Sequence, residues 1–410
     1  MTPDRRSHRS RRPRAKQSRG RSLVGETYDV TVGPVAHGGF CVARHDPSGG
    51  TDGPGRVIFV RHALPGEQVT VRVTEGDEGS RFLRGDAVAV IEASPDRVEA
   101  PCPVAGPGLC GGCDFQHVAV PAQRALKAAV VREQLQRLAG LDVPVEVETV
   151  EGDVDGLRWR TRVQFALTPD GRRGFRRHRS RHVVPVEDCL IARPDARVEI
   201  EGHAPDEGTV VETVDTAAGR HDFEVAADGF WQVHPGAPRV LVETVQDLLA
   251  PRPGERALDL YAGVGLFSAF LADRVGPTGG VHAVEGDGLA CEHAVANLAA
   301  YPSATVTQGT VDRVLAGEVS GPLAGAVDLV VLDPPREGAK RAVVEQDVAR
   351  SPRAVAYVAC DPAALARDVA LFAEGGYRLE ALRAFDLFPM THHVVCVALL
   401  VPGSVPAVTG

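Results

Sequence analysis

Three groups of residues in this 410-residue sequence could do chemistry. The first is Cys360, in "AYVACDPAALARD", where an apolar run meets an Asp-Pro turn. A thiol there is either a small buried residue, the usual fate of a free cysteine, or a nucleophile. A nucleophile needs a depressed pKa and a polar, partly open site. The second group begins with "CPVAGPGLCGGC", which spaces Cys102, Cys110 and Cys113 as C-x7-C-x2-C. A zinc ribbon would offer a second C-x2-C pair, and the sequence has none. Three clustered thiols and a distant fourth suit an iron–sulfur centre better than zinc. Cys189, after the polar loop of "VVPVEDCLIARP", is the best fourth ligand. Cys41, Cys291 and Cys396 lie in apolar surroundings and are expected in the core. The third group is the Gly263-x-Gly265 turn of "ALDLYAGVGLFSAFLA", with Glu285 further on in "VHAVEGD". The glycines let a ligand approach the backbone, and the acid can accept hydrogen bonds from ribose hydroxyls.

These residues need a scaffold, and the pattern supplies one. From Pro235 onward, helices alternate with the short apolar strands "RALDLYAG", "GVHAVEG", "VDLVVLDPP", "AVAYVACDP" and "VVCVALLV". That alternation predicts an α/β, doubly wound, mostly parallel sheet. From Leu23 to about Ala93, "TYDVTVGPVA", "RVIFVRHA", "QVTVRVTE" and "DAVAVIEA" read as strands of an OB-like barrel, with a generic sandwich as the alternative. "PAQRALKAAVVREQLQRLAG" (121–140) has helical spacing and a glycine stop. The expected divisions are a disordered basic tail (1–22), the barrel (23–95), a central α+β segment (96–234) and the α/β domain (235–405). Net charge is −9, yet the tail and residues 158–182 are arginine-rich. In the second of these, arginines interleave with Trp159, Phe165 and Phe175, a combination suited to RNA. No long uncharged apolar run indicates a membrane span. The N-terminus lacks the apolar core of a secretory signal, so a cytoplasmic protein is expected.

The glycine turn, Glu285 and a third strand ending in "LDPPREG" resemble a class I S-adenosylmethionine methyltransferase; a different nucleotide-binding Rossmann protein is the alternative. Arg336 follows Asp333-Pro334-Pro335, where methyltransferases acting on exocyclic amines carry an aromatic. A thiol on the next strand makes sense if the target is C5 of a pyrimidine. Thiolate addition at C6 makes C5 nucleophilic, and β-elimination later frees the enzyme.

Together these parts resemble the RNA uridine-C5 methyltransferase family, of the TrmA/RumA type, over residues 23–402. The ordered motifs "FWQVHPG", "DLYAGVGLFS", "VEGD", "LDPPREG", "YVACDPAALARD" and "FDLFPMTHHVVCV" carry the resemblance. It implies an RNA-binding TRAM barrel, a central domain with a [4Fe–4S] cluster, and a Rossmann-like domain that uses S-adenosylmethionine. Cys102, Cys110, Cys113 and Cys189 match the cluster ligands. Gln232, Tyr261, Glu285 and Asp333 match cofactor positions, and Cys360 matches the nucleophile. Leu266 stands where some members have Asn, Thr310 fits a cofactor position loosely, and Asp361 replaces a more usual Asn. The family motif F-P-x-T-x-H-x-E ends in the glutamate that removes the C5 proton; here that position is Val395. His393, which matches the family histidine, His392 and a bound water are the candidate substitutes, and the base is left open. The resemblance implies 5-methyluridine formation in ribosomal or transfer RNA. The alternatives are an impaired RNA-binding iron–sulfur homologue and an enzyme acting on another pyrimidine or base atom. A flipped base is expected, with Trp159, Phe230 and Trp231 as stacking partners.

Overall fold

A computed structural model describes residues 20–46, 55–203, 208–317 and 326–403. The basic tail expected over 1–22 lies outside the described residues except for 20–22, as do 404 and 405 of the α/β segment. Contacts divide the chain into two compact units: Met1–Pro34 with Phe40–Ser94, and Val35–Gly39 with Pro95–Gly410. The central and α/β segments thus fall in one unit.

Five strands, β1 (Thr27–Ala36), β2 (Phe40–His45), β3 (Arg56–Arg61), β4 (Gln68–Glu75) and β5 (Phe82–Glu92), close into a barrel in the order β1-β2-β3-β5-β4. Strict alternation in β4 turns Val69, Val71 and Val73 inward beside Ile58, Val60 and Leu83. The Arg84 guanidinium sits within about 5 Å of the Phe40, Phe59 and Phe82 rings, an aromatic patch on the barrel wall.

In the second unit, α1 (Val120–Gln134) starts with a proline in its first turn, and a π-helical turn (Leu135–Ala139) ends it at left-handed Gly140. Its buried face includes Gln123 and Lys127 as well as Val131, so this face is not built for packing alone. After the short β6 (Val147–Glu148), β7 (Arg160–Leu167), β8 (Arg173–Arg176), β9 (Val183–Pro185) and β10 (Ala192–Ile200) form a sheet ordered β10-β7-β8-β9. Strands β11 (Thr209–Thr216) and β12 (Gly219–Ala226) make a separate ribbon.

The remaining elements are α2 (Ala237–Leu249), β13 (Arg256–Leu260), α3 (Leu266–Val275), β14 (Gly280–Glu285), α4 (Gly288–Asn297), β15 (Ala304–Gln308), α5 (Val311–Gly317), β16 (Leu329–Leu332), α6 (Lys340–Ala349), β17 (Ala354–Ala359), α7 (Pro362–Glu374), β18 (Tyr377–Phe385) and β19 (Val395–Pro402). They build an eight-stranded sheet ordered β15-β14-β13-β16-β17-β19-β18-β6. Strands β13 to β17 are parallel, and β19 runs antiparallel to both its neighbours. Every residue of β16 and β17 is buried, as expected of parallel strands covered on both faces. One face packs against α2 and α3, the other against α1, α6 and α7. The chain leaves β13 toward β14 on one side and returns to β16 on the other. This switch opens a crevice at the carboxyl ends of the strands, where ligands bind in such sheets. The sequence pattern anticipated β13, β14, β16, β17 and β19, and a barrel of OB type.

Candidate active site

The crevice is a cavity of about 1320 Å³. Gln232, Tyr261, Glu285, Asp333, Cys360 and His393, separated by up to 161 positions in the chain, all line it. The sheet brings them together. Tyr261, Glu285, Asp333 and Cys360 sit at or just beyond the carboxyl ends of β13, β14, β16 and β17.

The turn after β13 is shaped for a ligand. Tyr261 (φ 67°), Gly263 (φ 55°) and Gly265 (φ 90°) take left-handed conformations, and Gly265 begins α3. Glycine adopts this backbone freely, whereas at Tyr261 it is strained. Tyr261 and Ala262 N–H groups donate to the Val284 carbonyl, tying the turn to β14. Glu285 accepts from the Gly263 and Asp287 N–H groups, each at 2.8 Å, which fixes its carboxylate at the cavity wall. Asp259 is fully buried beneath the turn and accepts from Ser268 Oγ at 2.6 Å. Burial pushes its carboxyl up to about 6. Asp333 rises to about 7, through burial and then the negative charges of Asp259 and Glu285. Glu285 and Asp333 on the wall, with Asp259 buried behind them, favour a cationic ligand.

Gln232 follows β12 in a segment anchored by Thr161, whose N–H and hydroxyl both donate to the Val233 carbonyl. The Asp333-Pro334-Pro335 stretch continues to Gly338 and Ala339. There the Asp368 carboxylate accepts from the Ala339 N–H at 2.7 Å and the Tyr357 hydroxyl at 2.6 Å.

Cys360 is half-buried, between the last residue of β17 and Asp361, whose side chain caps α7 through the Ala364 N–H. Its thiol does not show the depressed pKa expected of a nucleophile. Burial pushes it up and Asp333 adds to that, while Arg336 pulls it down. Asp361 pairs with His37 at 2.8 Å, a partner with no local sequence signal. Ala359 pairs with Cys396 across the β17–β19 ladder, so the next residues, Cys360 and Val395, come side by side. Val395 is buried and also lines the cavity.

The segment from Asp386 to His393 leads into β19 and brings Phe388, Thr391 and His393 to the cavity. It is held from α1. Lys127 Nζ donates to Asp386 Oδ1 (2.6 Å) and the Phe388 carbonyl (3.0 Å). Gln123 accepts from the Met390 N–H and donates to the Phe115 and Val118 carbonyls. Asp114 holds His392 through Nδ1 at 2.5 Å. No sequence motif announces this clamp; the polar residues on a buried helix face were its only trace.

The four expected cluster ligands lie apart from the lining residues, though their neighbours Gly112 and Arg160 reach the cavity. Burial raises the Cys113 thiol to about 12, and Cys110, Cys189 and Cys102 add to that, so the four thiols are within electrostatic reach. None of the eight cysteines is in a disulfide. Among the described residues, no group of three or more His, Cys, Asp or Glu is arranged to hold a metal ion. Cys41, Cys291 and Cys396 are buried, in keeping with their apolar surroundings.

Two expectations need correction. Trp159 has no exposed surface and does not line the cavity, so it cannot stack on an incoming base; Trp231 lines the cavity but with only 9% exposed offers an edge at most. Phe230, 74% exposed and lining the cavity, can stack. The arginine-rich stretch is also not one surface. Arg158 binds Asp188 and the Cys189 and Ala192 carbonyls, and Arg162 binds Glu199 and the Asp228 and Gly229 carbonyls just before Phe230. The exposed arginines are those of the β8–β9 hairpin: 172, 173, 176, 177, 179 and 181.

Comparison with known proteins agrees with this geometry. Residues 21–88 match the TRAM domain, and residues 324–402 match the tRNA (Uracil-5-)-methyltransferase family. An uncharacterized RNA methyltransferase of Streptomyces avermitilis is 48% identical, over 93% of this chain and 99% of its own length. The 23S rRNA (uracil(1939)-C(5))-methyltransferase RlmD of Chromohalobacter salexigens is 32% identical, over 98% of this chain and 95% of its own. The solved structure of the Pyrococcus abyssi tRNA (uracil-54, C5)-methyltransferase, in complex with S-adenosyl-L-homocysteine, superposes with a TM-score of 0.65. It is 22% identical and covers 91% of this chain and all of its own, a likeness of fold. With its barrel, its crevice and its relatives taken together, the chain belongs to the RNA uracil-C5 methyltransferase family.

Proposed function

We propose that this protein methylates C5 of a uridine in structured RNA through a covalent bond between Cys360 Sγ and C6. The observation that carries this reading is the convergence of Cys360 with Glu285, Asp333, Tyr261 and Gln232 on one cavity at the switch point of the sheet. S-adenosylmethionine, when bound, supplies an electrophilic methyl group. The carboxyl-rich wall fits its positive charge, and Glu285 fits its ribose hydroxyls. Asp333 and Cys360 stand within electrostatic reach of each other, which supports a reading in which the reacting base lies between the cofactor wall and the thiol. Phe230 offers the flipped base an exposed ring, and the hairpin arginines offer the RNA backbone a cationic surface.

For Cys102, Cys110, Cys113 and Cys189, an iron–sulfur cluster is the reading favoured by the chemistry of the donor set. Gly112 N–H and Gln116 Nε2 face the sulfurs of Cys110 and Cys113, and Arg160 lies near Cys189. Hydrogen-bond donors and a cation beside buried sulfurs suit thiolates bound to iron. A bound cluster would fix the segment that carries Asp114 and Gly112.

The test is incubation of the purified protein with labelled S-adenosylmethionine and total RNA from cells lacking the gene. Nucleoside mass spectrometry should find 5-methyluridine with the wild type and none with Cys360→Ala. Labelling at another base or atom would refute the reading. Protein prepared without oxygen should contain iron and sulfide in equal amounts; zinc in their place would refute the cluster.

A further inference from the structure

We propose that His393 is the catalytic base that removes the C5 proton in this protein, through Nε2. The inference deepens the proposed function and rests on it.

After C5 takes the methyl group it still carries its original hydrogen, and the thiol remains on C6. An acceptor near C5 must take that proton before the adduct can break. The position beside Cys360 offers none, because Val395 fills it with two methyl groups. The other acceptors can be taken in turn. Glu285 is engaged by the Gly263 and Asp287 N–H groups on the cofactor side. Asp333 follows β16, feels Asp259 and Glu285, and belongs to the same wall. Asp361 is occupied by His37 and the Ala364 N–H. His392 is held by Asp114 and does not line the cavity. His293 lines it from α4, beyond β14, where Asp287 caps α4 through the Ala290 N–H. Asp312 lines it from α5, and Asp228 from the loop before Phe230, all on other elements than Val395 and Cys360.

His393 remains, and its placement suits the task. It lies two residues before Val395 and lines the cavity with it. Nε2 is 3.4 Å from Arg336 Nη2. A guanidinium has no lone pair to offer, so Nε2 faces it as the unprotonated nitrogen and Nδ1 carries the hydrogen. The same Arg336 acts on the Cys360 thiol, so imidazole and thiol both lie within reach of one guanidinium on the cavity wall. The loop is fixed: the His393 N–H donates to Thr391 Oγ1, and Thr391 Oγ1 donates to the Phe388 carbonyl that Lys127 also holds. The electrostatics agree. Burial, then His392 and Arg336, push the imidazole down to about 3, with Lys127 adding to this and Asp114 opposing it. The ring is therefore neutral at pH 7, its nitrogen free of a proton, and as a base it is about one unit weaker than an ordinary glutamate carboxylate.

In the step itself, the long Arg336 contact opens so that the one lone pair of Nε2 turns to C5, and Nε2 takes the hydrogen from C5 as a proton. The C5–H electron pair becomes the C5–C6 double bond, the C6–S bond breaks, and its pair returns to Cys360 as thiolate. Water then accepts the proton from Nε2, which Arg336 keeps from resting there.

The experiment uses the full chain and total RNA labelled with [5-³H]uridine, from cells lacking the gene, with [methyl-¹⁴C]S-adenosylmethionine. Tritium release reads proton removal, and the denaturant-stable protein–RNA band reads the adduct. His393→Asn should cut tritium release by about a hundredfold or more and accumulate an adduct that contains ¹⁴C. Adding Val395→Glu to that variant should restore release, which a misfolded protein could not do. Wild-type release from His393→Asn would overturn the proposal, and so would a variant that forms no adduct. If the wild type puts no ¹⁴C into uridine, the proposed function itself fails, a result distinct from loss of release alone.

Discussion

Lys127 Nζ lies 2.6 Å from Asp386 Oδ1 with neither side chain appreciably exposed, joining α1 to the segment that carries Phe388, Thr391 and His393 into the cavity. Taking two charges out of water is costly, and the pair is sustained by closeness and by the extra bond to the Phe388 carbonyl. Its role is therefore better sought in positioning than in net stability. Lys127→Met leaves a buried carboxylate without its partner and should cost about 3–5 kcal/mol in urea unfolding. Lys127→Met with Asp386→Leu should recover most of that stability. It should not recover methylation, because the Phe388 carbonyl has still lost its anchor. Full activity in the double variant would show that the ion pair does not position the loop.

The acidic wall predicts how cofactor affinity depends on pH. Asp333 is raised to about 7 and Asp259 to about 6 in the ligand-free site. A carboxyl with a folded pKa above its unfolded value holds a proton that the unfolded chain has released. Stability from this source is full near pH 4 and is lost as pH rises through about 7. A cationic ligand favours the ionised form, so binding expels that proton at lower pH. Affinity for S-adenosylmethionine should weaken by up to about tenfold per unit below pH 7 and level off above it. S-adenosylhomocysteine, whose sulfur is uncharged, should show a shallower slope. Calorimetric titration of both ligands from pH 5.5 to 8.5 checks this, and parallel slopes would disprove it. With Asp333→Asn most of the difference should vanish.

Much of this was legible in the sequence, and the reason is periodicity. Alternation marked β4, and unbroken apolar runs marked β16 and β17, because burial on one face or two leaves those signatures. That residues 261, 285, 333 and 360 would stand at strand ends was legible because a glycine turn or an Asp-Pro pair flags each end. What escaped was set by tertiary contact. Gln123 and Lys127 look like ordinary helix residues until the 386–390 segment meets them. Trp159 and Phe230 are equally aromatic, and only packing separates a buried ring from an exposed one. The acidity of Cys360 was also hidden, because it depends on Asp333 and Arg336, more than 20 residues away in the chain.

Arg336 gives the thiol its favourable charge, and that can be read directly. It lowers the pKa that burial and Asp333 raise. Arg336→Gln should leave less thiolate, so alkylation of Cys360 by iodoacetamide at pH 8 should slow by about threefold or more. Arg336→Lys should restore most of the rate, since the thiol responds to charge. Alkylation needs neither RNA nor cofactor, so it separates this effect from the contact with His393. An unchanged rate in Arg336→Gln would remove the guanidinium from the activation of the thiol.

The β8–β9 hairpin should bind RNA without choosing its sequence. Residues 171–186 contain no acid, and six exposed arginines lie among them. The hairpin is tied to the cysteine segment through Gly111 N–H and the Arg176 carbonyl, next to Gly112 at the cavity. A phosphate backbone lying along it would therefore lead toward Cys360. Replacing Arg177, Arg179 and Arg181 with Ala removes three charges. The slope of log affinity against log salt should become shallower by about 2 to 3. KM for RNA should rise while kcat at saturating RNA stays level, because none of the three lines the cavity. Arg162→Ala should do the reverse. Arg162 holds the carbonyls before Phe230, so its loss should lower kcat and leave the salt slope almost unchanged. If the triple variant loses kcat and keeps its salt dependence, the hairpin supports the fold of the site and is not a surface for RNA.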